Sequence, residues 1–289
     1  MINSGIPGAE DWPTGCLEAL AAWEQGDVVA NPLLFYFADP RFPIWEASRR
    51  YQADSEGPEI VQAPDSHQPP YGLVTSQTCD IAEVDSARPL RPWVQIAPIF
   101  AEKDKGWRKK LLKGGGPRYW LHVPDLPGSD VFVADLRIEM PVEKGWLAQQ
   151  ERIEGFPSEE AKSIVGRRLS MLRGRPAFST DFNKTILDPL VAAIEDAGER
   201  DERPDGLLDR LVEVAVLVDS TLQPTSAQVV FITESDMDSG VEDWLQGWRD
   251  NRVEEADSAG ISLLGLDIRK LAEIPASEYR RMIVVWMKQ

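Results

Sequence analysis

Tyr71-Gly72-Leu73-Val74-Thr75-Ser76-Gln77-Thr78-Cys79-Asp80-Ile81-Ala82 is an apolar run that breaks into hydroxyls, an amide, a thiol and a carboxylate before turning apolar again. The apolar half has the length and composition of a buried strand, and the polar half reads as a turn delivered from its end. A core that fixes such a strand also fixes the groups that follow it. Ser76, Gln77 and Thr78 are therefore candidate ligand contacts, and Cys79 and Asp80 are candidate catalytic groups. A structural reading competes with this one: the same hydroxyls and carboxylate hydrogen-bond the backbone of an irregular turn while Cys79 fills a gap beneath it.

Working outward, Gly26-Asp27 ends a short helix predicted over residues 16–23, with Cys16 on its buried face, and opens a strand over 27–30. The aromatic run 33–37 follows, then a proline-rich excursion from Pro40 to Pro70 that is long for a connection within a domain. Downstream lie strands over 93–100, 119–124 and 130–140. Five or more short strands with little helix point to a small β-barrel. Residues 158–173 have a serine cap, acids in the first turn and arginine in the last, which also accounts for Arg167, Arg168 and Arg173. A second helix over 181–197 places Phe182, Ile186, Leu190 and Ile194 on one face, and the acidic stretch 198–206 reads as a linker. Strands over 211–218, 227–233, 261–268 and 282–287, with helices from Asp243 and over 276–281, make an α+β sandwich. The expected organisation is α+β: a small β-barrel over 1–142, a helical segment and acidic linker over 143–206, and an α+β domain over 207–289.

Length and composition agree with this division. A chain of 289 residues with 43% hydrophobic residues and ten tryptophans has enough apolar surface for two modules with ordinary cores. The start of the chain lacks a basic, then apolar, leader, and no run approaches the roughly 18 apolar residues of a membrane helix, so a cytoplasmic protein with no membrane partner is expected. Two cysteines make no disulfide framework. Cys79 and two scattered histidines, His67 and His122, offer no metal-ligand spacing, and Asp236 and Asp238 lack the closing ligand of a calcium loop; no metal or cofactor is expected.

The formal charge of −17 opposes generic attraction to nucleic acid and suits a basic protein partner. A local basic surface still acts on its own, because charges are screened beyond about 8 Å at physiological salt. Residues 103–118 are such an island: Lys103, Lys105, Arg108, Lys109, Lys110, Lys113 and Arg118 are interrupted by the single acid Asp104, with Trp107, Tyr119 and Trp120 interleaved. Lys109, Lys110 and Arg118 are candidate phosphate contacts and the aromatics candidate base platforms. The structural alternative is a solvated helix and glycine loop joining two strands. With His67 and His122 the two histidines that could serve as base, a Cys79, His122 and Asp80 or Asp135 trio is a candidate arrangement of nucleophile and base.

Gly26-Asp27-Val28-Val29, then Tyr71-Gly72-Leu73-Val74-Thr75-Ser76, then Val94-Gln95-Ile96-Ala97-Pro98-Ile99 together resemble the core of the MazF, Kid and PemK family of toxins, over roughly residues 24–140. The resemblance implies an SH3-like barrel, RNA cleavage, and an antitoxin partner in the same groove, and with them a toxin–antitoxin or phage-defence setting. Its functional residues do not carry over: Pro69-Pro70-Tyr71 stands at the place of the family's catalytic arginine, and the family's serine or threonine falls near Phe100. The likeness thus implies the fold more than the ribonuclease. The expected function is binding of single-stranded nucleic acid; the alternatives are a non-catalytic acidic protein-interaction module and a cysteine-dependent enzyme.

Overall fold

Strand β1 (Asp27–Ala30) begins where Gly26 turns the chain at φ +97°, and a Cβ there would lie 2.6 Å from Lys162 Cγ, so both conformation and space demand glycine. The structure is a computed structural model, and it describes residues 12–51, 56–83, 91–174, 177–196, 210–237 and 239–287. β1 pairs antiparallel with β4 (Tyr71–Val74), the strand of the opening motif, which pairs in turn with β5 (Trp93–Glu102). β5 is ten residues long, enough to hold two strands end to end along its other edge. Its first half pairs with β8 (Met140–Glu143) and its second half with β7 (Val131–Asp135). Beyond β7 lies β6 (Trp120–Val123), and beyond β1 lies the two-residue β9 (Ile153–Glu154), completing a seven-stranded sheet that curls into a half-barrel.

Its core gathers Val29, Val74, Val94 and Ile96 with Cys16 and Leu20 of α1 (Cys16–Leu20) and Leu147 of α5 (Lys144–Leu147). Cys16 is thus the small core residue its helical position implies. β2 (Phe35–Ala38) and β3 (Glu59–Gln62), with the short helix α2 (Glu46–Arg49) between them in the chain, form a separate hairpin in which Phe37 stands opposite Ile60. The polar segment after β4 differs from its reading as a turn: it closes into the short helix α3 (Thr78–Ala82), whose five residues are too few to show a helical period in sequence. The basic island begins with helix α4 (Lys105–Leu111), whose Trp107 amide donates to Asp104 Oδ1 at 2.9 Å. Helix α6 (Glu159–Gly174) starts as the sequence implies, with Ser158 Oγ accepting from the Ala161 amide at 3.2 Å. Arg168, read from the sequence as a helix-end charge, is only 1% exposed.

Contacts divide the chain into two compact units, Met1–Arg108 with Tyr119–Leu169, and Lys109–Arg118 with Ser170–Gln289. In the second, β10 (Leu211–Val218) and β11 (Ser226–Thr233) form an antiparallel pair, and the helix Ser239–Ser258 carries the chain to β12 (Ser262–Lys270), parallel to β11. β13 (Ile283–Met287) closes the sheet against β10. The helix read over 181–197 runs through Thr180–Phe182, a π turn Asn183–Leu187 and Asp188–Asp196. Its Phe182, Ile186, Leu190 and Ile194 enter the same core as Val214, Val216 and Phe231. The acidic stretch 198–206 lies outside the described residues.

Candidate functional site

The hydroxyls after β4 hold the backbone. The Thr75 amide donates to Gln95 O at 2.9 Å, and the buried Thr75 hydroxyl lies against Gln95 O and Glu139 Oε1. Ser76 Oγ accepts from the Gln95 amide at 2.8 Å, and Thr78 Oγ1 accepts from the Gln25 amide at 3.1 Å. Gln25 Nε2 completes the knot by donating to Thr75 O at 2.8 Å. The sequence offered this structural role beside the ligand-binding one, and for Thr75, Ser76 and Thr78 the bonds formed are structural.

Cys79 is exposed on α3, with its sulfur 3.7 Å from Asp80 Oδ1 and 3.8 Å from Gln77 Oε1. Neither contact is a histidine, the base read for this thiol in the sequence. Asp80 itself faces Arg91 at 2.8 Å. Immediately after α3 and in the left-handed region, Glu83 (φ 40°) meets Lys144 Nζ at 2.7 Å, a pair whose side chains are 7% and 1% exposed. His122 is not brought to this helix. Ser76 is tied to Gln95, whereas His122 opposes Val133 and Val133 opposes Phe100. Five positions of β5 and two strand spacings, about 17 Å by about 10 Å, therefore separate them. Burial keeps the His122 pKa below its usual value, and Asp135, the other acid of the trio, is gripped by Arg137 at 2.6 Å.

Within the first unit, the same geometry separates the polar segment from the start of the basic island. Ser76 bonds near the start of β5, and α4 begins beyond its far end. At that far end, within the first unit, Trp107 packs edge-on against Trp120 with centroids 5.5 Å apart, and Tyr119 meets Trp120 at 6.3 Å. The Arg137 guanidinium stacks 4.1 Å from the Tyr119 ring. Arg108 donates to Ser129 O at 3.1 Å, fixing the start of α4 against the β6–β7 connection. Lys103 and Lys105 are exposed beside this group. Lys109, Lys110 and Arg118 belong to the second unit.

A buried charge cluster went unread in the sequence. Asp27 is fully buried, receives the Glu24 amide at 2.7 Å and Lys162 Nζ at 3.0 Å, and lies 3.5 Å from Arg152. Lys162 also meets Glu24 at 2.8 Å and Glu159 at 3.5 Å. Burial opposes the Lys162 charge, but hydrogen bonds to Glu24 and Asp27 outweigh it and raise the pKa; the same bond from Lys162 lowers that of Glu24. Gly26-Asp27 was the visible half of this cluster, and its partner stands 135 residues away. The cluster clamps the start of α6 to the first strand.

Among the described residues no group of His, Cys, Asp and Glu is placed to hold a metal, and Asp236 instead pairs with Lys270 at 2.7 Å; Asp238 lies outside the described residues. No helix among them is long and apolar enough to cross a membrane. No protein-family model, curated protein or solved structure matches the chain.

Proposed function

We propose that the N-terminal half-barrel is an SH3-like unit of the MazF/PemK kind that binds single-stranded nucleic acid without cutting it, in a cytoplasmic toxin–antitoxin or phage-defence setting. The observation that supports this reading is the aromatic group Trp107, Trp120 and Tyr119 with the Arg137 guanidinium stacked on it, at the start of the chain's basic island. Half-exposed rings accept bases of any sequence, while Lys103, Lys105 and Arg108 supply phosphate contacts. Such chemistry binds and orders a strand but activates no nucleophile. Cys79 lies remote from His122, the base it would need.

The test is a titration of labelled single-stranded RNA and DNA with the whole protein at low and moderate salt, with cleavage read from the same gel. Salt-sensitive binding without cleavage is expected. Lys103→Glu with Lys105→Glu should reduce the salt slope by roughly one unit per lost phosphate contact. Trp107→Leu should weaken binding by about 1–3 kcal/mol with little change in slope. Absence of binding at low salt, or a slope untouched by both lysine changes, overturns the reading.

A further inference from the structure

Away from the basic island, the first unit carries a preformed cavity of about 400 Å³ whose walls include Pro32, Leu33, Phe35, Val142 and Trp146, with Glu143 its one ionisable lining group. The volume is that of a binding cleft rather than a packing defect. Its walls are anchored from behind. Pro32 sits over Gly72, where a Cβ would come within 2.8 Å of the proline ring. Phe35 packs on Leu34, Ala63 and Met140, and Trp146 packs on the half-barrel core. The loop between β1 and β2 is tied down by the Asn31 amide on Pro70 O at 2.8 Å and the Leu34 amide on Gln68 Oε1 at 2.7 Å.

The apolar surface continues beyond the cavity. Phe37 follows Phe35 on the same face of β2, about 7 Å along the strand, and Ile60 lies directly across from Phe37. Leu33, Phe37 and Ile60 are 60%, 75% and 72% exposed, an arrangement that scattered surface residues do not produce. A half-open apolar cleft with a strip of this length beside it along β2 matches an extended polypeptide with side chains at alternate positions better than a small molecule. Charge selects the polypeptide. The lining contains one carboxylate and no cation, and the chain as a whole carries −17.

We infer that this cavity and the Phe37–Ile60 strip are the docking site for an extended segment of a partner protein, an apolar side chain seated between Phe35 and Trp146 and a neighbouring lysine or arginine paired with Glu143. The site is independent of the aromatic–basic group at the far end of β5. Occupation buries the exposed strip, and the carboxylate sets the register of the segment in the cleft.

Fluorescence polarisation of the full chain with two labelled octapeptides tests it, one alternating leucine with lysine and the other leucine with glutamate. The lysine peptide is expected to bind and the glutamate peptide to bind at least about tenfold more weakly. Glu143→Lys should abolish that preference, whereas the charge-matched Glu254→Lys, on an exposed helix of the other unit, should leave it in place. Phe37→Ser with Ile60→Ser, at exposed positions that leave the fold intact, should weaken the lysine peptide by a similar factor. Equal effects of Glu143→Lys and Glu254→Lys would reduce the attraction to net charge and overturn the proposal. So would failure of the lysine peptide to bind, or indifference to the Phe37 and Ile60 changes.

Discussion

Asp27 decides more of the first unit than any residue of the polar motif, because it is fully buried and fixes α6 through Lys162. Asp27→Ala leaves the Lys162 ammonium in place with its one fully buried partner removed, and should lower stability by about 3 kcal/mol in urea denaturation. Exchanging Asp27 and Lys162 together for Leu and Met should cost less, since no charge is then left behind. The pH dependence has two limbs. Glu24 releases its proton more readily when folded, so its contribution is full above the usual value of 4.5 and is lost as pH falls through the lowered one. Lys162 holds its proton more tightly when folded, so its contribution is full below 10.5 and is lost as pH rises through the raised value. The urea midpoint should hold level between these limits and fall on either side, and Glu24→Gln should flatten the acid limb. An acid limb identical in Glu24→Gln would show that the cluster is not coupled to folding. Nothing local in the sequence marks such a pair: Asp27 was legible as a strand start, but Lys162 is one charged residue among several in the 158–173 helix with nothing to single it out.

At the scale of elements, Gly72 links the strand core to the cavity wall. A methyl there would stand 2.5 Å from Ile96 Cγ2 and 2.8 Å from Pro32 Cγ, so Gly72→Ala should destabilise by about 1–3 kcal/mol while displacing the loop that carries Leu33 and Phe35. Gly145, inside α5 with nothing within 4 Å of its absent Cβ, is the control: Gly145→Ala should be neutral or slightly stabilising. Thermal melts of both variants check this, and an unaffected Gly72→Ala would mean that Pro32 moves freely. Strands such as β1, β4, β5 and β10 were legible because each is an apolar run closed by glycine, proline or a polar cluster. Their partners were not. That β5 carries β8 and β7 in series, which places α4 and the Ser76 segment at opposite ends of one strand, depends on pairings across dozens of residues that no local period encodes. The cavity was illegible for the same reason, since residues 31–35 and 141–150 meet only once the sheet has curled.

For the whole molecule, the separate cores make folding itself a measurable question. The half-barrel gathers its own cluster around Val74 and Ile96, while the four-stranded sheet of the second unit buries Phe182, Ile186, Val214 and Phe231 in another. Neither core borrows a residue from the other in these clusters, so each unit has the means to melt by itself. The tryptophans make the two distinguishable. Of the ten, Trp12, Trp23, Trp45, Trp93, Trp107, Trp120 and Trp146 belong to the first unit, and only Trp244, Trp248 and Trp286 to the second. Tryptophan emission therefore follows mainly the half-barrel. Far-ultraviolet circular dichroism also follows the long helix Ser239–Ser258 of the second unit. Urea titrations read by the two signals should give midpoints that do not coincide, and Gly72→Ala should shift the emission midpoint more than the dichroism midpoint. Coincident midpoints that move together in the variant would establish one cooperative unit. In that case a ligand on the half-barrel would stabilise the second sheet as well, since any ligand that binds only the native state shifts the whole of a two-state equilibrium.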